Sequence, residues 1–259
     1  MFKKWIVTVL ILCMSTVLMF SSGITAHGQS INKPEATQDD LVRTVLAISG
    51  RFHSIEIGSS WDVVFRQSSS FGYMLEMSAD GSMRGTYTFN LRSQTLRVQT
   101  VRATPQGAPR PRITIMAPTL QSVTLTGNAA TLNWSPITSR DFTVNLSGGA
   151  RASLNIDVSR NLRITTADTS YLTISGRADR LRLNSSGNSI VRAFDLQARD
   201  TRPVELRGSS VVEIAIGSRA TLRARDSSLL RVRMTQGTRV NASRSGAASI
   251  VFVTNTNTF

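Results

Sequence analysis

Residues 180–216 read RLRLNSSGNSIVRAFDLQARDTRPVELRGSSVVEIAI, and they contain one pattern of residues twice in succession. A run of alternating apolar and polar residues leads into a turn that contains Gly, and a second alternating run follows. The pattern then occurs again. Apolar residues two positions apart lie on one face of a strand, and Gly adopts a positive φ without steric cost. The stretch therefore predicts two successive coils, each made of strand, tight turn and strand.

The turn position recurs at nearly equal intervals along the second half of the chain. A fixed period of about 20 residues is typical of a solenoid, in which a coil buries its apolar face only against its neighbours. The rival for this period is a leucine-rich repeat, but its Asn-containing Leu signature is absent. The turn residues are Gly127, Gly148, Asp168, Gly187, Gly208, Asp226 and Gly246.

Two other positions recur at a fixed distance from the turn. Four residues before it, each coil has an apolar residue, and two residues after it, each coil has Ala or Ser. We expect the apolar residues to stack in one core and the small residues to fit where the corner approaches that core. The first set is Val123, Val144, Ile164, Leu183, Val204, Leu222 and Ala242. The second set is Ala129, Ala150, Ser170, Ser189, Ser210, Ser228 and Ala248.

These patterns predict an all-β protein, a right-handed parallel β-helix or solenoid with about 20 residues per rung. We assign the repeats to residues 118–259 and an N-terminal β region to residues 41–117, in one continuous domain with the repeats. The end of a stack presents unpaired strand groups, so we expect residues 41–117 to continue or cap it. Residues 29–40 are polar, without apolar periodicity, and indicate a flexible leader.

The N-terminus has the pattern of a secretory signal peptide over residues 1–28. Lys3 and Lys4 precede an apolar stretch at 5–20, and Ala26 and Gly28 supply small residues before the cleavage point. An uncleaved membrane anchor is the alternative, although a spanning helix needs about 20 apolar residues. We therefore expect an exported protein in the periplasm, at the outer membrane or outside the cell, with no transmembrane span in the mature chain.

Cleavage leaves few residues for catalysis, because it removes Cys13 and His27 and leaves His53 alone. Catalytic triads and His-based zinc sites need more than this, so we predict no catalytic residue, no metal and no cofactor. Glycoside hydrolysis needs two carboxyl groups about 5–10 Å apart. The candidates for such a pair are Asp168 and Asp226 in the turn position. They are three coils apart, about 14 Å at 4.8 Å per coil, which is too far for glycoside hydrolysis. We expect Asp157, Asp179, Asp195 and Asp200 to cap turns or, alternatively, to bind calcium.

Arginine is the most distinctive feature of the composition. The net charge falls from +14 to +12 on loss of Lys3 and Lys4, and 27 Arg with Lys33 carry the remaining positive charge. Outward guanidinium groups on stacked coils attract phosphates, sulfates and carboxylates. The alternative is that arginine reflects genomic composition and keeps a β surface soluble. The candidate anion-binding residues flank inward apolar residues and are Arg163, Arg182, Arg192, Arg223, Arg231 and Arg233.

The natural partners of such a face are anionic glycans, lipopolysaccharide or the envelope surface. Nucleic acid is not expected, because no recognised motif is present and aromatic residues make up 6% of the chain. A ladder of polar residues three positions before the turn could hydrogen-bond within the stack or contact sugar. Its members are Thr124, Asn145, Thr165 and Asn184.

Several segments of the chain resemble the repeats of the head GIN domain, a domain of unknown function described as a putative auto-transporter adhesin head. They are LSGGARASLNI (146–156), NSSGNSIVRA (184–193), LRGSSVVEIAI (206–216) and SRSGAASIVF (243–252). The opening segments FHSIEIGSSWDVVFRQ (52–67) and RITIMAPTLQSVTLTGNA (112–129) are also similar to this family. The resemblance covers about residues 50–256. It implies a β-helical fold and a place in the cell envelope, and it brings no catalytic residues.

Two functions of different classes follow. The first is a non-enzymatic envelope or surface module that binds or adheres through a lateral Arg-rich face. The second is a carbohydrate-active β-helix enzyme, a lyase or hydrolase, that acts on acidic polysaccharide. We expect an enzyme to show a concave groove where Asp and Arg converge, and a binding module to show a flat face lined by ladders. The sequence leaves the oligomeric state open.

Overall fold

The protein is described by a computed structural model over residues 41–70, 72–80, 87–102, 110–127, 131–134 and 136–253. The expected signal peptide (1–28) and leader (29–40) lie outside these residues. The regular elements are strands: β1 Leu41–Ala47, β2 Ser54–Gly58, β3 Asp62–Gln67, β4 Met74–Asp80, β5 Tyr87–Arg92, β6 Thr95–Thr100, β7 Arg112–Ala117, β8 Ser122–Thr126, β9 Thr131–Trp134, β10 Ile137–Leu146, β11 Arg151–Thr166, β12 Tyr171–Ser185, β13 Ile190–Leu206, β14 Val211–Ala224, β15 Leu229–Met234, β16 Arg239–Arg244 and β17 Ser249–Val253.

The strands stack as two parallel ladders joined by the recurring turn. One ladder contains the segments that precede the turn and the other contains the segments that follow it. β11 to β14 are long because each holds the post-turn segment of one coil, a corner, and the pre-turn segment of the next. The register places Val144 beside Ile164, Ile164 beside Leu183, and Leu183 beside Val204. The predicted parallel β-solenoid is therefore confirmed.

The apolar residues four positions before the turn point into one core, as predicted. Val123, Val144, Ile164, Leu183, Val204 and Leu222 are each 0% exposed. Ala242, in the last described coil, is exposed, so the prediction is wrong there. The cause is its position, because β16 pairs with β14 and no described strand pairs with its other side. The small residues after the turn are also buried, at Ala150, Ser170, Ser189, Ser210, Ser228 and Ala248; Ala129 lies outside the described residues.

From Gly148 onward the turn residues share one left-handed conformation, with φ between 60° at Asp168 and 71° at Gly187 and Gly246. Close stacking adds a second requirement at Gly148, where a Cβ atom would lie 2.6 Å from the carbonyl oxygen of Gly127. Asp168 has a role beyond its backbone angle. Its Oδ2 accepts a hydrogen bond from the Gly148 backbone N–H at 2.8 Å, and Asp226 does the same for Gly208.

The N-terminal region both continues and caps the stack. β2 pairs in parallel with β6 and β8, and β3 pairs in parallel with β7 and β9. The coil made by β2 and β3 therefore lies between two coils that come later in the chain. β4 then pairs antiparallel with β7, β1 with β4, and β5 with β6. These antiparallel strands cover the N-terminal end of the parallel ladders.

Candidate anion-binding groove

A groove of about 460 Å³ runs across the pre-turn segments of β10 to β13. Two columns of outward side chains form it, because residues two apart on a strand face the same side. In one column Thr143 pairs with Arg163, and Arg163 with Arg182; in the other Asp141 pairs with Asn161, and Asn161 with Arg180. The full lining is Asp141, Phe142, Thr143, Asn161, Leu162, Arg163, Arg180, Leu181, Arg182 and Arg202.

Arg163 and Arg182 are the free cations of this groove. Both are exposed, and neither makes an ion pair or a side-chain hydrogen bond within the described part of the chain. They occupy neighbouring coils in register, so their backbones are about 4.8 Å apart along the stack. The arrangement offers two guanidinium forks side by side, each able to hold a planar or tetrahedral anion by paired hydrogen bonds.

Two further arginines complete the groove, and the sequence reasoning missed both. Arg202 lies 3.3 Å from Asp200, and Arg180 lies 3.8 Å from Asp179, so each shares its charge with a carboxylate. Arg202 reaches the groove because β13 carries an extra residue opposite Arg182, where the register shifts. Pro203 is the only signal for this shift in the sequence, since a proline within a strand favours a bulge.

One carboxylate lies at the end of the groove nearer the N-terminus. Asp141 Oδ1 accepts a hydrogen bond from Asn161 Nδ2 at 2.6 Å. Arg160 and Arg140 also lie close, at 3.9 and 4.0 Å. The groove is thus concave and holds Asp together with Arg, which is the arrangement expected of an enzyme. Its lining contains a single carboxyl group, however, whereas glycoside hydrolysis uses two.

The other four candidate arginines are engaged elsewhere. Arg223 pairs with Glu205 at 2.9 Å, on the same ladder as the groove. The remaining three lie on the post-turn ladder, so the six residues occupy two faces and not one. Arg231 pairs with Glu213 at 3.1 Å. Arg192 lies over the Tyr171 ring at 5.5 Å, and Arg233 lies over the Phe194 ring at 4.5 Å.

The corner between the two ladders holds a second concavity, of about 540 Å³, with paired charges at its edge. Arg177 donates to Asp157 at 2.7 Å, and Arg199 donates to Asp179. The hydrogen bond from Arg199 lowers the pKa of Asp179, and the same contact raises the pKa of Arg199. The expectation that these aspartates cap turns is therefore wrong for Asp157, Asp179 and Asp200, because each meets an arginine side chain instead. Asp195 is exposed.

The predicted polar ladder is present beside the groove. Thr124, Asn145, Thr165 and Asn184 occupy matching positions in successive coils, and Asn145 Nδ2 donates to Thr124 Oγ1 at 3.3 Å. Thr165 and Asn184 also line a hollow of about 310 Å³ with Glu205 and Arg207. Hydroxyl and amide groups therefore lie next to the free guanidinium groups on one face.

The remaining residues considered for chemistry have local partners. Asp168 and Asp226 bind turn amides, and His53 Nδ1 lies 3.1 Å from Ser54 Oγ. Within the residues that the structure describes, no group of three or more His, Cys, Asp or Glu could hold a metal ion. The same residues include no helix long and apolar enough to cross a membrane.

Solved structures with the same architecture include proteins from Bacteroides and Parabacteroides species. A protein from Bacteroides fragilis, described as a putative adhesin, has a TM-score of 0.76 and 15% identity, over 82% of this chain and 97% of that one. One from Parabacteroides distasonis, described as a putative lipid binding protein, has a TM-score of 0.66 and 17% identity, over 83% and 97%. A putative adhesin from Parabacteroides merdae has a TM-score of 0.61 and 16% identity, over 83% and 96%. At these identities the likeness concerns the fold.

No protein with a curated function matches the sequence. The family model described as "Putative auto-transporter adhesin, head GIN domain" matches residues 51–235, which is well over half of the chain. This range contains the coils from β2 to β15 and the whole groove. The chain belongs to the head GIN domain family of adhesin-like β-solenoids.

Proposed function

We propose that this protein is a non-enzymatic binding module of the bacterial cell envelope or surface, which holds anionic glycans or other anionic envelope components in the groove of Arg163 and Arg182. The observation that carries the proposal is that these two exposed guanidinium groups lie in register on adjacent coils without a partner in the described residues. The expected signal peptide and the adhesin-like family support an exported location.

The geometry favours an extended polyanion over a single small ion. The groove spans four coils, from Asp141 to Arg202, a length of about 14 Å at 4.8 Å per coil. Anionic groups spaced along a chain would meet Arg163 and Arg182 in turn. Sugar hydroxyls beside them would reach Thr165 and Asn184 in the neighbouring polar ladder. The shared chemistry is a row of sulfate, carboxylate or phosphate groups, which a glycan or lipopolysaccharide can supply.

The experiment compares binding of heparin and of lipopolysaccharide to the wild type and to the double variant Arg163→Gln/Arg182→Gln over a series of salt concentrations. A charge-assisted hydrogen bond contributes about 1.5 kcal/mol or more, and 1.4 kcal/mol corresponds to a tenfold change in affinity. We expect the double variant to bind at least about tenfold more weakly, with a shallower dependence on salt. Binding to heparin would indicate a glycan ligand, whereas binding to lipopolysaccharide alone would indicate a lipid-linked phosphate.

The matched control is Arg225→Gln/Arg244→Gln, which removes the same charge from exposed positions outside the groove. If both double variants lose affinity equally, net charge and not the groove causes binding, and the proposal fails. If neither heparin nor lipopolysaccharide binds at low salt, the proposal also fails.

The enzymatic alternative has one supporting contact, the presence of Asp141 in the groove. It predicts that prolonged incubation with an acidic polysaccharide shortens the chain and releases new reducing or unsaturated ends. The binding module predicts an unchanged polysaccharide. Asp141→Asn then distinguishes a trace activity of the protein from a contaminant, since only the former would disappear.

A further inference from the structure

The last described strand, β17, has an open edge. It pairs in parallel with β15 through residues 249–253, and no described strand pairs with its other side. The side chains that enter the core become exposed at this point. Val232 is 0% exposed, whereas Phe252, its partner in the next coil, is 45% exposed. The core of the stack is therefore uncovered here by the part of the chain that the structure describes.

The composition of β17 is unusual for an edge strand. Its sequence is SIVFV, with no charge and no proline. Natural edge strands carry charges, prolines or bulges that prevent pairing with another chain. On the post-turn ladder the column that contains Arg192, Glu213 and Arg231 ends at Val251, which is 43% exposed. The charges that cover this column on earlier coils stop where the edge begins.

Backbone geometry fixes which groups of β17 are available. The Ser249 N–H donates to the Ser228 carbonyl at 2.9 Å, toward β15. In a parallel ladder, the backbone groups of alternate residues point to opposite neighbours. Ser249, Val251 and Val253 therefore bond toward β15, and the N–H and C=O groups of Ile250 and Phe252 point to the open edge.

The geometry points to a second copy of this chain as the occupant, bound through antiparallel pairing of β17 with β17 about a two-fold axis at Val251. A closed two-fold contact uses the same patch on both copies. A head-to-tail contact is disfavoured because the edge strands at the other end of the stack, β1 and β5, each contain an arginine, which discourages edge pairing, whereas β17 has no charge.

Such a dimer pairs the open backbone groups of β17 and covers the core beside this strand. Ile250 of each copy exchanges two backbone hydrogen bonds with Phe252 of the other, and these side chains extend the apolar core across the axis. Val251 lies opposite Val251 of the second copy as a non-hydrogen-bonded pair, with Cα atoms about 4.5 Å apart. Val253 lies opposite Ser249, so the two Val253 residues are about 14 Å apart.

Cysteine cross-linking tests this register directly. In the chain with Cys13 replaced by Ser, Val251→Cys is expected to form a disulfide-linked dimer on mild oxidation, because a disulfide spans Cα distances of about 4.4–6.8 Å. Val253→Cys, two residues away on the same exposed face, is the matched control and should remain monomeric on denaturing gels. Equal cross-linking of the two variants would overturn the register.

Solution mass tests the assembly itself. Sedimentation equilibrium of the unmodified chain should give a dimer that dissociates on dilution. Val251→Lys places like charges opposite each other and should weaken the dimer about tenfold, whereas Val251→Thr keeps a neutral β-branched residue and should dissociate as the wild type does. A monomer at every concentration, as expected if residues 254–259 cover the edge, would overturn the inference.

Discussion

Replacing Asp168 with Ala is expected to lower the free energy of unfolding by about 2 kcal/mol. The first contribution is conformational: Asp168 has φ 60°, and the left-handed region costs an ordinary residue about 1–2 kcal/mol. We use the lower value, about 1 kcal/mol, because Asp168 in the wild type already bears part of this conformational cost. The second is the lost hydrogen bond to the Gly148 N–H, at 2.8 Å, for which about 1 kcal/mol is typical.

Two matched variants separate these contributions. Asp168→Asn keeps both an acceptor oxygen and tolerance of positive φ, so it should stay within about 0.5 kcal/mol of the wild type. Asp168→Gly frees the backbone but loses the acceptor and gains entropy in the unfolded chain, so a loss of about 1 kcal/mol is expected.

Urea unfolding followed by circular dichroism measures these differences, and thermal unfolding checks them. A change of about 2 kcal/mol lowers the melting temperature of a domain of this size by about 4–8 °C. If the Ala and Asn variants are equally stable, neither the left-handed conformation nor the bond to Gly148 contributes as argued.

Three other perturbations test the stack and its surface. Leu183→Ala should cost about 2–5 kcal/mol in calorimetry, because Leu183 is fully buried, whereas Asn184→Ala on the exposed face should change stability by about 0.5 kcal/mol or less. Gly176→Ala should cost more than about 3 kcal/mol, because its Cβ would overlap the Ile156 carbonyl oxygen at a positive φ; a fully stable variant would contradict the corner geometry. The lowered pKa of Asp179 means that its pairing with Arg199 stabilises the fold fully above about pH 4 and is lost as pH falls through the lowered value. The difference in melting temperature between wild type and Asp179→Asn should therefore shrink on acidification, and a difference that grows would refute the sign.

The repeat coils could be predicted from the sequence because one physical requirement acts at every turn. Stacked coils need an apolar residue facing the core and a small residue at the corner, so Ile164, Leu183 and Val204 recur in step and all lie in one core. The order of the N-terminal coils could not be predicted. Alternation marks β2 and β3 as strands, but it does not say that β6 and β8 will lie on either side of them.

The candidate site was predicted in part for a similar reason. Alternation correctly turns Arg163 and Arg182 outward, but it does not say which ladder an arginine occupies or which side chain it meets. Two of the ion pairs could be predicted from the spacing to the turn. Glu205 and Arg223 both lie three residues before a turn. Glu213 and Arg231 both lie five residues after one. Arg202 enters the groove through a bulge, and a shift of one residue in register breaks any argument from spacing.

The placement of β2 and β3 between later coils has a consequence for biosynthesis. Ser54 pairs with Ser122, far along the chain, whereas Val144 pairs with Ile164 in the very next repeat. Because the first loop is roughly three times as long, closing it costs about 1 kcal/mol more in chain entropy. Nucleation therefore favours the repeats even though the ribosome releases β2 and β3 first. β2 and β3 have no parallel neighbour until β6 and β7 have emerged, and their second neighbours, β8 and β9, follow only at residues 122–134. A nascent chain that stalls before β6 has emerged carries β2 and β3 unpaired, and such fragments are the ones most in need of a chaperone.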